Sequence, residues 1–414
     1  TIGGGWANTA SGESATVGGG DYNLAGAAYA TIAGGGPSDP SDPTNTNNRV
    51  TDNYGVIAGG GYNRAGNGDG DPTDAPYATI GGGLRNTASG YIATVGGGHH
   101  NIASDSGATI GGGWENIASA YATTVSGGGE NVASGPNATV SGGRVNTASG
   151  NTATVGGGYS NEASEASTTV GGGWNNTASG NAATVPGGAD NVAGGAYSFA
   201  AGAHAQATHP GAFVWSSADA TSSWGDNTFT VRAHGGARFY TASGTGTGVV
   251  LPSGGGGWSN LSDRAAKENM APVDGRDILG RLAAIPIQTW NYRSQDPAIR
   301  HIGPVAQDFY AAFGVGEDDT HISTVDADGV ALAAIQGLYE LAQEQDVRIV
   351  QLEQENAALR SRLDSLEARL AALEGRSEGL SVPASALPIS GLALGGLGLF
   401  GVAAYRRGKG GGKR

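Results

Sequence analysis

Two side chains stand out for the chemistry they could do together. Ser262 and Lys267 lie five residues apart in L-S-D-R-A-A-K-E-N-M, Leu261 to Met270, and Lys267 is the only lysine before Lys409. A hydroxyl is a weak nucleophile until a base takes its proton. A lysine amine can be that base once burial disfavours its charged form, whereas arginine keeps its proton. A Ser–Lys pair is an established variant of the serine triad. The spacing is common by chance, so its context must carry the reading. Cysteine is absent, which excludes disulfides, thiol nucleophiles and zinc-thiolate sites. His204 and His209 have no acidic or cysteine partner at ligand spacing, and read as polar contacts of a connecting region rather than a metal site. The expectation is no metal and no cofactor.

The pair follows a long glycine-rich region. Of 77 glycines, 47 fall in residues 1–195. There Asn recurs every 15 residues, at 86, 101, 116, 131, 146, 161, 176 and 191, with Val or Ile six residues before it and Ala two after it. The unit reads A-T-V-G-G-G-x-x-N-x-A-S-G. The same frame appears at Thr1, Thr16 and Thr31, with insertions at 37–54 and 67–76. A flexible linker would not hold such columns, so the period predicts a solenoid. Each unit offers two short strands and two turns, and stacking aligns Val over Val, Ala over Ala and a ladder of Asn amides. One Val and one Ala per coil make a thin core, which three packed solenoids would close better; this predicts a homo-oligomer.

The repeat resembles the heads of trimeric autotransporter adhesins. That resemblance implies a mainly β N-terminal half, a trimeric left-handed parallel β-roll over residues 1–195. The two positions before each Asn vary most. Among them Trp6, His99, His100, Trp114, Tyr159 and Trp174 form a candidate binding surface for a host or surface ligand that the sequence does not identify. The other reading is turn residues under weak constraint. A single Thr rank argues poorly for an ice-binding face, and no repeat supplies the Asp of calcium-binding nonapeptides.

Residues 196–261 read as a β-rich neck, with short alternating strands at 229–233 and 237–240. Beyond them come R-D-I-L-G-R-L-A-A-I-P-I-Q-T-W-N-Y (Arg276 to Tyr292), R-H-I-G-P-V-A-Q-D-F (Arg300 to Phe309) and D-A-D-G-V-A-L-A-A-I-Q-G-L (Asp326 to Leu338). With S-D-x-x-x-K-E-N these resemble the intramolecular chaperone auto-processing domain of phage endosialidase tailspikes and related fibres. The resemblance implies an α+β chaperone domain at 262–335 that drives trimerisation and then cuts its own chain before the motif serine. The scissile bond would be Leu261–Ser262, with Ser262 as nucleophile, Lys267 as base and His301 in support. Asp263 and Asn269 match the motif as structural residues. The alternative is an inactive chaperone whose Ser262 caps a helix.

From Ile335 the pattern is heptad. Ile335, Ala342, Ile349, Asn356, Leu363 and Leu370 take one seam position, and Leu338, Gln345, Leu352, Leu359, Leu366 and Leu373 the other. This predicts a coiled coil over 336–375 with Asn356 setting its register, and the resemblance implies that it is trimeric. Residues 376–414 hold a linker, a weakly apolar run at about 386–405 and a tail with five basic residues, which read as a membrane anchor or as a sorting signal built on L-P-I-S-G. A net charge of -14, with 36 acidic against 22 basic residues, predicts no nucleic-acid partner. It also disfavours a DNA-binding regulator released by proteolysis. The chain opens inside a repeat without Met or signal peptide, and further sequence upstream is expected. Together these features predict an exported, homotrimeric, adhesin-like surface fibre that cleaves itself, with a phage or prophage tail fibre as the alternative.

Overall fold

A computed structural model describes residues 1–241 and 248–377. The apolar run at about 386–405 and the basic tail lie outside the described residues, and no described helix is long and apolar enough to cross a membrane. The chain divides into two compact units, Thr1–Lys267 and Glu268–Arg414.

The first unit is a parallel β-solenoid. Its two sheets hold 14 and 15 strands, and odd and even members alternate between them along the chain. Most strands are two residues long and sit in strict register. Thr94–Val95 pairs with Thr79–Ile80 on one side and Thr109–Ile110 on the other, while Ile102–Ala103 pairs with Thr87–Ala88 and Ile117–Ala118 in the second sheet. Alternation sends Val or Ile inward and Thr outward. The inward column Val95, Ile110, Val125, Val140, Val155, Val170 and Val185 is fully buried.

The core differs from the sequence expectation in two respects. Six of these coils bury a second alanine, the one before Thr (Ala78, Ala93, Ala108, Ala138, Ala153, Ala183), beside the one after Asn, and Thr123 and Thr168 are buried in its place in two others. These side chains are 0 % exposed within one chain, so the thin core is already closed and gives no reason of its own for an oligomer. Small side chains suffice because opposite sheets come close, and tight coils are possible because glycine takes the corners. At Gly113 φ is +91°, and a Cβ there would sit 2.0 Å from the Gly128 carbonyl oxygen of the next coil.

Asparagine braces the same corner from within. Asn116 is buried; its Nδ2 donates to the carbonyls of Gly112 and Gly128, both at 3.0 Å, and to Asn101 Oδ1 at 3.1 Å. Its own Oδ1 accepts from the backbone N–H of Asn131 at 3.0 Å. The same pattern repeats from Asn86 to Asn191, so a polar column is buried with its donors satisfied.

The insertions and the neck also refine the sequence reading. The segment 37–54 ends in a coil of its own: Asn48 donates to Asn23 Oδ1 at 3.1 Å, and Arg49–Val50 pairs with Leu24–Ala25. The sheets do not stop near 195. They continue through Phe199–Ala203, Phe213–Ser216 and Phe229–Arg232, where Phe199, Phe213 and Phe229 stack at 4.8 Å in place of the Thr rank. The neck is thus partly solenoid with changed coil lengths, which hid the period. Only then does a three-stranded antiparallel sheet follow, Ala237–Tyr240, Gly248–Leu251 and Ser259–Asn260.

The second unit is small and helical. Helix α1 (Gly275–Ala284) starts at Asp274, whose carboxylate caps the N–H groups of Arg276 and Asp277. A two-stranded antiparallel pair joins Gln288–Trp290 to His301–Gly303, and α2 (Ala306–Phe313) ends on Gly314 in the left-handed region. The long helix α3 spans Thr324–Ser377. Helices α1 and α3 meet backbone to backbone, since a Cβ on Gly337 would lie 2.2 Å from the Gly275 carbonyl oxygen. Arg276 ties the contact to Glu340 and Glu344 at 3.2 and 2.9 Å. Among the described apolar residues of this unit only Phe309, Val330, Ala333 and Ala334 are buried.

Candidate functional site

The stretch around Ser262 is built by a strand end and one tight turn. Ser259–Asn260 pairs with Val249–Val250, and the Leu261 N–H donates to the Gly248 carbonyl at 3.2 Å, so the chain reaches Leu261 held on a sheet edge. A 3-10 turn, Arg264–Ala266, follows at once. Its N-cap is Asp263, whose carboxylate accepts from the Ala265 N–H at 2.9 Å. The capping role considered for Ser262 therefore belongs to its neighbour, and the serine hydroxyl is left for another partner. The turn brings Lys267 back over the start of the segment, and Lys267 Nζ donates to Ser262 Oγ at 2.7 Å. One turn is the reason for the spacing of five.

Both side chains are solvent-exposed in the single chain. An amine acts as a base only when desolvation favours its neutral form, so hydrogen-bond geometry alone does not activate the hydroxyl. The contact can pass a proton, and what it lacks is burial.

His301 belongs to the second unit, where it faces Trp290 across the two-stranded pair. It is half-buried: its Nε2 lies 2.9 Å from Gln295 Oε1, and its ring centroid is 4.7 Å from that of Trp290. These contacts make it part of an aromatic cluster with Tyr292, whose ring is 5.6 Å away. Asn269 adopts the left-handed backbone region at φ 55°, in keeping with a structural role. Asn356 lies on α3, along which Ile335, Leu338, Ile349, Leu352, Leu359, Leu363, Leu366, Leu370 and Leu373 are all more than 40 % exposed.

The variable head residues divide into two columns. Positions two before each Asn bridge from coil to coil, Leu84 to His99 to Trp114 to Gly129 to Arg144 to Tyr159 to Trp174, and Trp6 bridges to Asp21 at the same place in the first coil. His100 stands one position on, in a corner with φ 56°, beside Arg85 and Glu115 in the same conformation. Trp114 is folded over Gly129, and Arg144 covers its ring at 5.3 Å while pairing with Glu130 at 2.8 Å. His209 Nδ1 lies 2.7 Å from Ser223 Oγ, a polar contact within the solenoid. Among the described residues no group of three His, Cys, Asp or Glu could hold a metal ion.

Sequence reasoning passed over Arg49, Arg64 and Arg85. The available signal was their position, since the first three arginines of the chain fall within the first insertion, between the two insertions and just after the second.

Residues 262–315 match the family model of the chaperone of endosialidase. The match begins at Ser262, takes in Lys267 and His301, and ends after α2. No curated protein matches the chain. A parallel β-solenoid is thus joined in one chain to a segment similar to the chaperone of endosialidase.

Proposed function

We propose that this chain is a homotrimeric fibre protein whose chaperone segment directs assembly and then cleaves the Leu261–Ser262 bond. The observation that carries the proposal is the 2.7 Å contact between Lys267 Nζ and Ser262 Oγ at the first residue of the chaperone match.

In the proposed reaction Lys267, in its neutral form, takes the Ser262 hydroxyl proton as Oγ attacks the Leu261 carbonyl carbon. The C–N bond breaks, the Ser262 nitrogen receives the proton from Lys267, and Leu261 is left as an ester on Oγ. Water then hydrolyses the ester, giving a Leu261 carboxylate and a fragment that begins with Ser262. Nucleophile and bond are neighbours in one chain, so proximity takes the place of substrate binding and each chain reacts once.

Assembly supplies the missing burial. The apolar seam of α3 is exposed in a single chain and its heptads suit a coiled coil, so copies associate there. If neighbouring copies also enclose Lys267, its charged form is disfavoured and the hydroxyl is activated only in the trimer. Cleavage then releases the solenoid from the segment that assembled it. His301 acts in support as part of the cluster with Trp290 and Tyr292.

The reading as an exported, adhesin-like surface fibre rests on the repeat pattern, and any membrane anchorage on residues outside those described. A phage tail fibre is the second reading, favoured by the chaperone match. The test is expression of the full chain beside Ser262→Ala and Lys267→Met, with intact mass and native mass measured together. Wild type should yield a fragment beginning at Ser262 and a threefold native mass, and both variants should remain whole. Equal fragmentation of Ser262→Ala would refute the assignment.

A further inference from the structure

The two insertions frame a cavity of about 570 Å³ on the outside of the solenoid, partly enclosed, with three arginines and no carboxylate in its lining. It runs along four successive strands of one sheet, because Arg49 pairs with Arg64, Arg64 with Thr87, and Thr87 with Ile102. Arg85 lies at the adjoining corner, with its guanidinium 5.8 Å from the Tyr62 ring centroid.

Like charges on directly paired strand positions repel. Elsewhere the outward positions of these sheets are mostly Thr, Val or Ile, yet here two arginines are stacked one rung apart, about 4.8 Å. None of the three arginines makes an ion pair among the described residues, although the chain carries 36 acidic side chains. Arg49 bonds Asn47 Oδ1 at 2.6 Å and the Thr44 carbonyl. Among the described residues the Arg64 side chain has no hydrogen-bond partner, and its Nε is buried. A buried donor left unpaired is costly, and guanidinium groups match carboxylate and sulfate geometry. Gly68, at φ 67°, lets the second insertion cross over Arg64, since a Cβ there would strike the guanidinium. The cradle is therefore shaped around a cation that has no counter-charge.

We propose that this groove binds an acidic saccharide, a sugar chain carrying carboxylate or sulfate groups. Its length along the axis suits a chain-shaped ligand. The amides of Asn45 and Asn47 and the hydroxyls of Thr51 and Thr87 line it beside the arginines, and offer partners to sugar hydroxyls. His100 lies at one end. A polyphosphate backbone such as nucleic acid is a poorer occupant, because the rest of the chain is strongly negative. The inference does not depend on self-cleavage, since all of its residues lie in the solenoid.

The test is calorimetric titration of the full chain with oligogalacturonate, a heparin-derived oligosaccharide, a dextran oligosaccharide and inorganic phosphate. At least one of the two acidic sugars should bind, weakening as salt is raised, while dextran should not; because heparin carries carboxylates as well as sulfates, binding of heparin alone assigns sulfate recognition and binding of oligogalacturonate assigns carboxylate recognition. Arg64→Gln and Arg85→Gln should each weaken that binding about tenfold, the worth of one charge-assisted contact, with Arg232→Gln unchanged. Arg85 is exposed, so its variant keeps the test informative if Arg64→Gln fails to fold. Equal binding of dextran, full displacement by phosphate at matched concentration, or wild-type affinity in Arg85→Gln and Arg64→Gln would each overturn the proposal.

Discussion

Replacing Asn116 by alanine tests whether the asparagine ladder holds the solenoid together. The side chain is fully buried and takes part in five polar contacts: the two hydrogens of Nδ2 are shared among three acceptors, and Oδ1 accepts from two donors. Not all are lost at full cost. The Gly128 carbonyl keeps the N–H of Trp114, and half-exposed Gly112 can turn to water. The Asn131 N–H cannot, because Asn116 Oδ1 is its partner and Asn131 is itself buried. A typical net contribution near 1 kcal/mol per bond, with one buried donor orphaned, gives a loss of about 3 to 5 kcal/mol. Denaturant unfolding of the full chain, followed by the far-ultraviolet signal of the β-sheets, should show this as a lower midpoint. Coils contact only their neighbours, so the loss should also split the transition at the middle of the array. Asn116→Asp keeps the acceptors but loses the donors and buries a charge, so its defect should be severe at pH 7 and lessen in acid. A loss under about 1 kcal/mol for Asn116→Ala would sink the argument that buried amides, rather than packed Val and Ala, set the stability of each corner.

Other outcomes follow from single contacts. Asp52 is 1 % exposed and burial pushes its carboxyl above the usual range, although the Asn67 N–H at 3.2 Å opposes this. The folded state then holds the proton more tightly than the unfolded chain, so this residue costs stability as pH rises above the unfolded value. Asp52→Asn should raise the thermal midpoint at pH 7 and have less effect near pH 3, read by calorimetry at both. Gly337→Leu should separate α1 from α3, because its Cβ meets the Gly275 backbone; native mass should show lost assembly while the solenoid signal persists.

How much could be read without coordinates varied along the chain. The solenoid was legible because every coil repeats the same three demands: an inward Val, a glycine that accepts positive φ, and an amide for the corner carbonyls. The insertions were legible as interruptions, but their rejoining of the ladder at Asn48 was not, since spacing to Asn23 is lost across a ten-residue excursion. The extension of the sheets to Arg232 was hidden for the same reason, since coil lengths change where Phe replaces Thr. The long helix was written in its heptads, whereas the close approach of Gly275 and Gly337 has no local signature.

The sequence by itself determined the repeat, the inward Val or Ile column, the Ala column after Asn and the candidacy of Ser262 and Lys267, because these depend on residue type at fixed local spacing. Tertiary structure alone decided that the core closes within one chain, that Asp263 rather than Ser262 caps the turn, and that Lys267 Nζ reaches the Ser262 hydroxyl. It also decided that Arg49 and Arg64 stand on neighbouring rungs of one groove. Local pattern fixes which side chains face in, but which groups meet across coils depends on stacking register, and that register exists only in the folded chain.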